Sequence, residues 1–571
     1  MKRFYFVILL CIAFAARSNA QYIRYAVQLK DKKGTAYSIS QPSAFLSARS
    51  IQRRTRQNIP IDSADLPVSQ VYLDSISMIS GVRIMYTSKW LNNVLVEIPD
   101  SASLAKINSF PFVFHLTPVA ITPPIHGQPA ISKNIEEERP VLAGASAANV
   151  FRMFSGNAML DDTINYGANY PQVHIHEGEY LHKLGFRGQG MTIAILDGGF
   201  RNYLTNPAFD SLRANNQILG EYDFVNNKTS VNEEHPHGAN CFSILASNMP
   251  GQIIGTASKA NYYLFKSEDV NSEKPIEEQF WVAAAERADS AGADMISSSL
   301  GYSNFDDTTL NLNYAQRDGK TAPVTIGANM AVKKGMIVTC SSGNSGGLNS
   351  DFKYVLCPAD GDNVLAIGAV NASGTIAPFS SGGPNGAGKL KPNIVSVGWQ
   401  TVYVNTYGVV STGSGTSYSN PNIAGLIACL WQAFREFSNT DIMDAVQRSA
   451  DRYSNPDEHY GYGIPNMRIA YQILETKRKE KLNAILKDSW ITAYPVPFNQ
   501  SFNVYLKAPL TGMAKIRIMD AAGKLIEIKS LQIQQGGYYN IYMAPAVTPS
   551  AIYYLQYNDG KNKSTLKLVH F

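Results

Sequence analysis

Between residues 166 and 471, short apolar runs alternate with stretches of helical character. The apolar runs are MTIAILDGG, ANYYLFKSE, ADMISSSLG, KGMIVTCSSGN and NVLAIGAV, and most of them end in Gly, Ser or Asp. Helical segments such as EEQFWVAAAERADSAG lie between them. Strands that alternate with helices in this way pair in parallel and are covered by those helices. The pattern therefore predicts an α/β fold, with a mostly parallel sheet and helices on both faces.

Three segments of this region place a reactive side chain at the end of a strand or the start of a helix, where functional residues of such sheets lie. Asp197 ends MTIAILDGG, His237 opens the helical part of HPHGANCFSILAS, and Ser417 precedes the apolar run of GTSYSNPNIAGLIA. Taken singly, each has an ordinary structural explanation, as a turn former, a hydrogen-bonded histidine or a helix cap. We prefer His237 over the nearby His235 because only His237 runs directly into Gly, a small residue and a helix.

Together, the three segments resemble the active-site signatures of the subtilisin-like serine proteases, which carry Asp, His and Ser in this order. The resemblance covers roughly residues 166 to 471. It implies that Ser417 is the nucleophile, that His237 is its base and that Asp197 orients the imidazole. The segment CSSGNSG resembles the loop that supplies the oxyanion-hole amide, which implies that role for Asn344. The segment SSSLG resembles the one whose backbone pairs with substrate, which implies that substrate binds at Ser299, Leu300 and Gly301.

The sequence departs from the family pattern beside both signatures. After His237 the family usually has Gly-Thr-His, whereas this chain has Gly-Ala-Asn. After Ser417 the family usually has Met-Ala-Ser-Pro-His, whereas this chain has Tyr418, Ser419, Asn420, Pro421 and Asn422. We expect Pro421 to fit the first turn of the helix that holds the nucleophile.

The flanking regions differ in pattern from the central one. Residues 21–125 read as a small α/β unit and resemble the inhibitory propeptide of such proteases, and residues 126–165 read as a processing linker, rich in Pro and charges. The peptidase region is predicted at 166–475 and a charged linker at 476–490. Residues 491–571 read as a β-sandwich that resembles the C-terminal sorting domain of the Bacteroidetes type IX secretion system. A carbohydrate- or protein-binding β module is the alternative.

Residues 1–20 read as a secretory signal peptide, because a basic start precedes an apolar block that is too short to span a membrane. We therefore predict a secreted or cell-surface protein, exported through the periplasm and the outer membrane by machinery that recognises the tail. The formal net charge of +5 over 571 residues indicates neither nucleic acid nor a membrane surface as partner. The basic segment ARSIQRRTRQ, residues 48–57, is interpreted as an exposed basic helix face rather than as a polyanion site.

Cysteines and possible metal ligands leave alternatives open. After loss of Cys11 with the signal, four cysteines remain, and Cys340 with Cys357 fits either a disulfide or two buried thiols. The resemblance implies no required cofactor, although structural Ca²⁺ is a possibility at the loop SNMPGQIIG, which offers Asn248 but no carboxylate. The histidines between residues 174 and 182 lack the partners of a zinc motif, so no metal site is predicted there. Those histidines are His174, His176 and His182.

These features predict a secreted serine endopeptidase, made as a zymogen, that acts on protein or peptide substrates and is inhibited by its own propeptide. A catalytically silent adhesion protein on the same fold is the main alternative. A second alternative is the related serine-carboxyl peptidases, which also have a Gly-Thr-Ser nucleophile. They use a glutamate base, and the signature around His237 disfavours them.

Overall fold

The computed structural model describes residues 23–121, 164–232, 235–349, 351–499, 501–546 and 550–571. The chain forms two compact units, Met1–Ala470 and Tyr471–Phe571. The predicted signal peptide and nearly all of the predicted processing linker lie outside the described residues. No described helix is both long enough and apolar enough to cross a membrane.

The N-terminal part of the first unit is a small domain with one antiparallel sheet. Its strands occur in the order β2-β3-β1-β4 across the sheet, and apolar side chains such as Val27, Val94 and Ile107 form its core. The strands are β1 (Ile23–Leu29), β2 (Arg83–Ser88), β3 (Asn93–Ile98) and β4 (Val113–Ile121). The helices are α1 (Ala48–Arg56), α2 (Gln70–Ser77) and α3 (Ser101–Asn108).

The central region contains the predicted parallel sheet. Seven strands lie in the order β13-β12-β11-β10-β5-β9-β6, and every neighbouring pair is parallel. They are β5 (Thr192–Asp197), β6 (Ile218–Asp223), β9 (Asn261–Lys266), β10 (Met295–Ser298), β11 (Ile337–Ser341), β12 (Leu365–Val370) and β13 (Ile394–Val397). Two hairpins accompany the sheet: β7 (Asn248–Met249) with β8 (Ile253–Ile254), and β14 (Thr401–Val404) with β15 (Val410–Gly413). The predicted fold class is confirmed.

Helices connect and cover these strands. The central helices are α4 (Tyr170–His174), α5 (Gly178–Lys183), α6 (Asp210–Ala214), α7 (His237–Ala246), α8 (Ile276–Ala291), α9 (Pro323–Lys333), α10 (Thr416–Ala433) and α11 (Asn439–Arg448). Helix α10 is buried from Thr416 to Trp431 because it packs against α7 and against strands β10 to β13. The register aligns Leu196 with Ser298 and Ser298 with Cys340. The ends of β5, β10 and β11 therefore meet at one edge of the sheet.

The N-terminal domain docks on helix α8 through buried polar contacts. The carboxylate of Glu286 accepts hydrogen bonds from Ser88 Oγ at 2.5 Å and from the backbone amides of Trp90 and Lys89 at 2.9 and 3.1 Å. One turn further along α8, Asp289 accepts from Lys89 Nζ at 3.3 Å. A single face of α8 thus holds the loop between β2 and β3.

Helix α1 adds buried arginines to the same interface. Arg53 and Arg54 are 1% and 0% exposed, and both guanidinium groups donate to the carboxylate of Asp289. Arg54 also donates to Asp65 at 2.6 Å. The prediction of an exposed basic helix face is therefore wrong for these two residues, because their partner carboxylate comes from a helix more than 200 residues away.

The second unit is an antiparallel β-sandwich. Its sheets have the strand orders β16-β17-β20 and β19-β18-β21-β22, and side chains from both sheets share one core. The strands are β16 (Ile491–Tyr494), β17 (Phe502–Lys507), β18 (Gly512–Asp520), β19 (Leu525–Ile533), β20 (Tyr538–Met543), β21 (Ile552–Asn558) and β22 (Lys563–Val569). The boundary between the two units falls within helix α12 (Met467–Leu486).

Candidate active site

Asp197 and His237 form a buried pair at the carboxyl edge of the central sheet. Asp197 is the last residue of β5 and His237 is the first of α7. Asp197 Oδ1 lies 2.7 Å from His237 Nδ1, and it also accepts from the amide of Gly198 at 2.7 Å. A methyl group on Gly238 would lie 2.4 Å from the carbonyl oxygen of Gly199, so only glycine allows α7 to begin this close to Asp197.

The electrostatics of this pair favour the protonated imidazole. Burial of His237 disfavours the imidazolium, but the carboxylate of Asp197 opposes this effect, and the pKa of His237 is raised well above its usual value. A charge pair that is shielded from water interacts more strongly than one in solvent, which explains why the carboxylate prevails. His235 does not take this place, since its Nδ1 accepts from the amide of His237 at 3.3 Å.

Ser417 lies beside this pair, as the second residue of α10 after the cap Gly415. Its hydroxyl donates to the carbonyl oxygen of Ser299 at 3.3 Å. The thiol of Cys241 lies 4.0 Å from His237 Nε2 and donates to the carbonyl oxygen of Ser417 at 3.3 Å. Cys241 therefore connects the histidine with the serine, and sequence reasoning missed this contact.

Pro421 determines where the Ser417 carbonyl group points. Proline has no N–H, so it cannot make the helical hydrogen bond to the residue four positions earlier. The carbonyl oxygen of Ser417 instead accepts from Ser299 Oγ at 2.9 Å and from the thiol of Cys241. We expected Pro421 in the first turn, but the helix begins at Thr416. This places Pro421 in the second turn, where it frees the carbonyl of Ser417.

Asn344 follows β11 and contacts the start of α10. Its Oδ1 accepts from Thr416 N at 2.8 Å and from Thr416 Oγ1 at 2.9 Å. Thr416 Oγ1 in turn accepts from the amide of Gly343 at 3.1 Å. With Oδ1 held on Thr416, the Asn344 amide nitrogen is the end of the side chain that remains for a ligand. Thr416 is a second residue whose role sequence reasoning missed, although the Gly-Thr-Ser motif contains it.

The residues that depart from the family pattern after Ser417 have clear structural roles. The ring of Tyr418 stacks on that of Tyr403, with centroids 5.1 Å apart and planes 12° apart. Asn420 donates through Nδ2 to the carbonyl oxygen of Ser298 at 3.0 Å. These contacts tie α10 to the β14–β15 hairpin and to the end of β10, where Ser299 lies. The substitutions therefore keep the nucleophile helix attached to the sheet edge.

The histidines at 174, 176 and 182 each form hydrogen bonds with different partners. His176 bonds Ser396 Oγ at 2.9 Å, and the same hydroxyl accepts from Asn422 Nδ2 at 3.0 Å. Elsewhere, His174 Nδ1 lies 2.6 Å from Glu179 and His182 Nδ1 lies 2.7 Å from the Tyr166 hydroxyl. None of the three belongs to a group of possible metal ligands among the described residues.

The loop SNMPGQIIG offers few side-chain ligands for a calcium ion. Asn248 uses its amide nitrogen to donate to Ser211 Oγ at 3.1 Å, and the loop contains no carboxylate. Calcium takes about six to eight oxygen ligands, and carboxylates usually supply several of them. The loop itself thus supplies only neutral oxygen ligands, such as Asn248 Oδ1 and backbone carbonyl groups, and structural calcium there stays a prediction.

Four cysteines within the described residues are free and buried: Cys241, Cys340, Cys357 and Cys429. Cys340 and Cys357 were compatible with either a disulfide or two buried thiols, and in the structure they are two buried thiols. Burial raises the pKa of both thiols, which disfavours the reactive thiolate.

Comparison with family models assigns all three parts of the chain. Residues 188–463 match the model of the subtilase family, peptidase S8. Residues 24–134 match the peptidase S8 propeptide domain of Bacteroidota. Residues 492–570 match a secretion system C-terminal sorting domain, which indicates export to the cell surface or the extracellular space, as predicted.

Curated relatives show the same similarity. The chain is 27% identical over 309 residues to serine protease AprX of Bacillus subtilis (strain 168), a match that covers 49% of this chain and 65% of the relative. It is 28% identical over 297 residues to subtilisin E of the same organism, covering 51% and 68%. It is 28% identical over 308 residues to a thermophilic serine proteinase of Bacillus sp. (strain AK1), covering 54% and 67%. The chain thus spans about two thirds of the length of these relatives.

Proposed function

Because the central region of this chain belongs to the subtilase family of serine peptidases, we propose that the protein is a secreted serine endopeptidase that is made as a zymogen and uses Asp197, His237 and Ser417. The buried hydrogen bond of 2.7 Å between Asp197 Oδ1 and His237 Nδ1 carries this proposal. A catalytic base needs an orienting partner of this kind, because the acceptor nitrogen of imidazole is available only when the other nitrogen holds its proton.

In the first half of the reaction, Ser417 Oγ attacks the carbonyl carbon of the scissile peptide bond. The hydroxyl turns from the Ser299 carbonyl oxygen towards His237 Nε2, which takes the proton as the C–O bond forms. Asp197 stabilises the imidazolium that results. His237 then gives this proton to the leaving amine as the C–N bond breaks, which leaves an acyl ester on Ser417.

In the second half, water attacks the ester and passes a proton to His237. The C–O bond to Ser417 breaks and the serine oxygen regains its proton, so that a carboxylic acid product leaves and the enzyme is restored. Water enters only after the amine has left, because both occupy the same side of the acyl carbon. These reaction steps need no chemical group other than those of the protein, the substrate and water.

The oxyanion of each tetrahedral intermediate is met by the Asn344 amide nitrogen and by the backbone N–H of Ser417. Thr416 supports this role, since it holds Asn344 Oδ1 through both its amide and its hydroxyl. The N–H of Ser417 lies at the start of α10, where the helix dipole also favours negative charge. Donors that are fixed before the reaction stabilise developing charge without reorganisation.

A fluorophosphonate probe tests the proposal directly. We expect the processed wild-type protein to be labelled, and Ser417→Ala to remain unlabelled although it is folded. Ser419→Ala is a matched control, because Ser419 is buried in the same helix two residues away and should leave the labelling intact. If the processed wild type is not labelled, the protein is the catalytically silent alternative.

The pH dependence of peptide hydrolysis distinguishes the proposed enzyme from the second alternative, the serine-carboxyl peptidases. A histidine base is active when it is neutral, so kcat/KM should fall as the pH drops through the pKa of His237. The serine-carboxyl peptidases depend on a glutamate base and an acidic optimum. Activity that is retained in acid and lost near neutral pH would therefore contradict a role for His237.

The zymogen part of the proposal is supported by the docking of the N-terminal domain on α8 through Glu286 and Asp289. Sequencing the N-terminus of the secreted protein tests it. We expect a new start between about residues 130 and 166, within the predicted processing linker, because linkers between domains are where proteases usually cut. A mature protein that still begins near Gln21 would show that the N-terminal domain is not removed.

A further inference from the structure

The side chain of Leu356 lies between the two backbone segments that border Ser417. A methyl group on Gly301 would lie 2.8 Å from Leu356 Cδ1, and one on Gly343 would lie 2.9 Å from Leu356 Cγ. Leucine thus spans the gap between the segment after β10 and the loop after β11. The two glycines are required because any larger residue at either position would collide with this side chain.

Backbone hydrogen bonds fix Leu356 in this place. Its amide donates to the carbonyl oxygen of Ser342 at 3.1 Å. The next residue, Cys357, exchanges two hydrogen bonds with Tyr302, of 3.1 and 2.8 Å. Leu356 is therefore held on both sides and cannot move away by a simple loop shift. It remains partly exposed, as expected for the floor of an open slot.

The position of this slot relative to the reacting atoms defines what enters it. The scissile carbonyl group must come within about 3 Å of both Ser417 Oγ and the Asn344 amide nitrogen. Ser417 Oγ lies against the carbonyl of Ser299, two residues before Gly301, and Asn344 directly follows Gly343. The residue that supplies the scissile carbonyl, P1, therefore lies between these segments, and its side chain extends towards Leu356.

We propose that Leu356 limits the enzyme to peptide bonds that follow a small residue, glycine or alanine. This inference rests on the proposed peptidase function and adds the substrate class to it. The leucine side chain occupies the volume that a large P1 side chain would need, and the backbone hydrogen bonds prevent the segment that carries it from moving aside. Glycine at P1 leaves the slot empty, and the methyl group of alanine fits above an apolar floor, whereas phenylalanine or leucine would overlap with Leu356.

The test uses the processed wild-type enzyme with peptide substrates that differ only at P1, which is Ala, Leu or Phe. We expect kcat/KM for the Ala substrate to exceed that for the Phe substrate by at least about 100-fold, within the range that a few methylene groups produce in an apolar pocket. In Leu356→Gly, the ratio should shift by at least about 10-fold towards Phe. Leu356→Ala, which keeps Cβ but removes the branched end of the side chain, should shift the ratio in the same direction.

Leu184→Gly is the matched control, because Leu184 is 45% exposed and lies directly after helix α5. It should keep the wild-type ratio. Fluorophosphonate titration counts the active sites in each sample, so that misfolded variants are not read as a change of specificity. A labelled wild type that prefers Phe would overturn the inference, and so would an unchanged ratio in both Leu356 variants. A wild type without labelling would instead refute the proposed function.

Discussion

Replacement of Asp289 by asparagine should loosen the N-terminal domain from the central region. Asp289 is fully buried and its carboxylate accepts from Arg53, Arg54 and Lys89, all of which belong to the N-terminal domain. Burial favours the neutral acid, but these three cations oppose it and lower the pKa of Asp289. The carboxylate is therefore charged at neutral pH, and the substitution removes that charge from the centre of the cluster.

The magnitude follows from the burial of the partners. Removal of one member of a buried ion pair costs about 3–5 kcal/mol, because the other member stays buried and uncompensated. Asparagine keeps one oxygen acceptor for the arginines, so we expect the lower value, about 3 kcal/mol. At 1.4 kcal/mol for each factor of ten, the docking equilibrium should weaken by about 10²-fold.

Hydrogen exchange in full-length Ser417→Ala, for which we expect no self-processing, measures this change. The backbone amides of Lys89 and Trp90 donate to Glu286 across the interface, so they exchange when the domain undocks. Their protection factors should fall by about 10²-fold in Asp289→Asn, in line with the loss of docking free energy. Amides within β3 report on unfolding of the domain itself and should change less.

Asp444→Asn is the control for this experiment. Asp444 lies on α11 in a pair with Arg448 in which both side chains are about half exposed, so loss of its charge should leave the two reporter amides unchanged. The reasoning is refuted if Lys89 and Trp90 keep wild-type protection in Asp289→Asn. That result would mean that the buried charges contribute little to docking, and that Glu286 and the apolar contacts hold the domain.

Three further predictions concern the catalytic region. Asn344→Ala should reduce kcat by about 10²–10³-fold with little change in KM, since we propose that its amide stabilises the oxyanion; steady-state kinetics on one peptide substrate will measure this. Asp197→Asn should reduce kcat by about 10⁴-fold. The same substitution should also shift the acidic side of the pH profile of kcat/KM to lower pH, because it removes the charge that raises the pKa of His237. If the profile does not shift, a group other than His237 is responsible for the loss of activity in acid. Ser299→Ala should lower the free energy of unfolding by about 1 kcal/mol in urea, because Ser417 O loses one of its two donors.

The parallel sheet and the three candidate catalytic residues could be predicted because their signals are local. A strand that ends in Asp197, a helix that starts at His237 and a Gly-Thr-Ser segment each appear within about ten residues. The fold then brings these segments to one sheet edge, as parallel strands require. The assignment of catalytic roles to these residues stays a prediction until labelling and kinetics are measured.

The features that could not be predicted depend on partners far away in the sequence. The basic pattern around Arg53 and Arg54 is the same whether the residues face water or a carboxylate, and Asp289 lies more than 200 positions later. Similarly, Pro421 could be recognised as a helix residue, but not as the reason why the Ser417 carbonyl bonds Ser299. Leu356 has no signal of its own, because its role depends on two glycines in other loops.

The cluster at Asp289 also determines which propeptides and enzymes can be combined. If a related propeptide lacked Arg53 and Arg54, Asp289 would keep only Lys89 as a partner cation. If a related enzyme lacked Asp289, Arg53 would lose its partner carboxylate and Arg54 would keep only Asp65. Either mismatch weakens docking, because a buried charge is left without a full set of partners, whereas the matched ion pairs add little docking free energy compared with an apolar interface. The charges therefore act as a recognition code between the two halves of one chain.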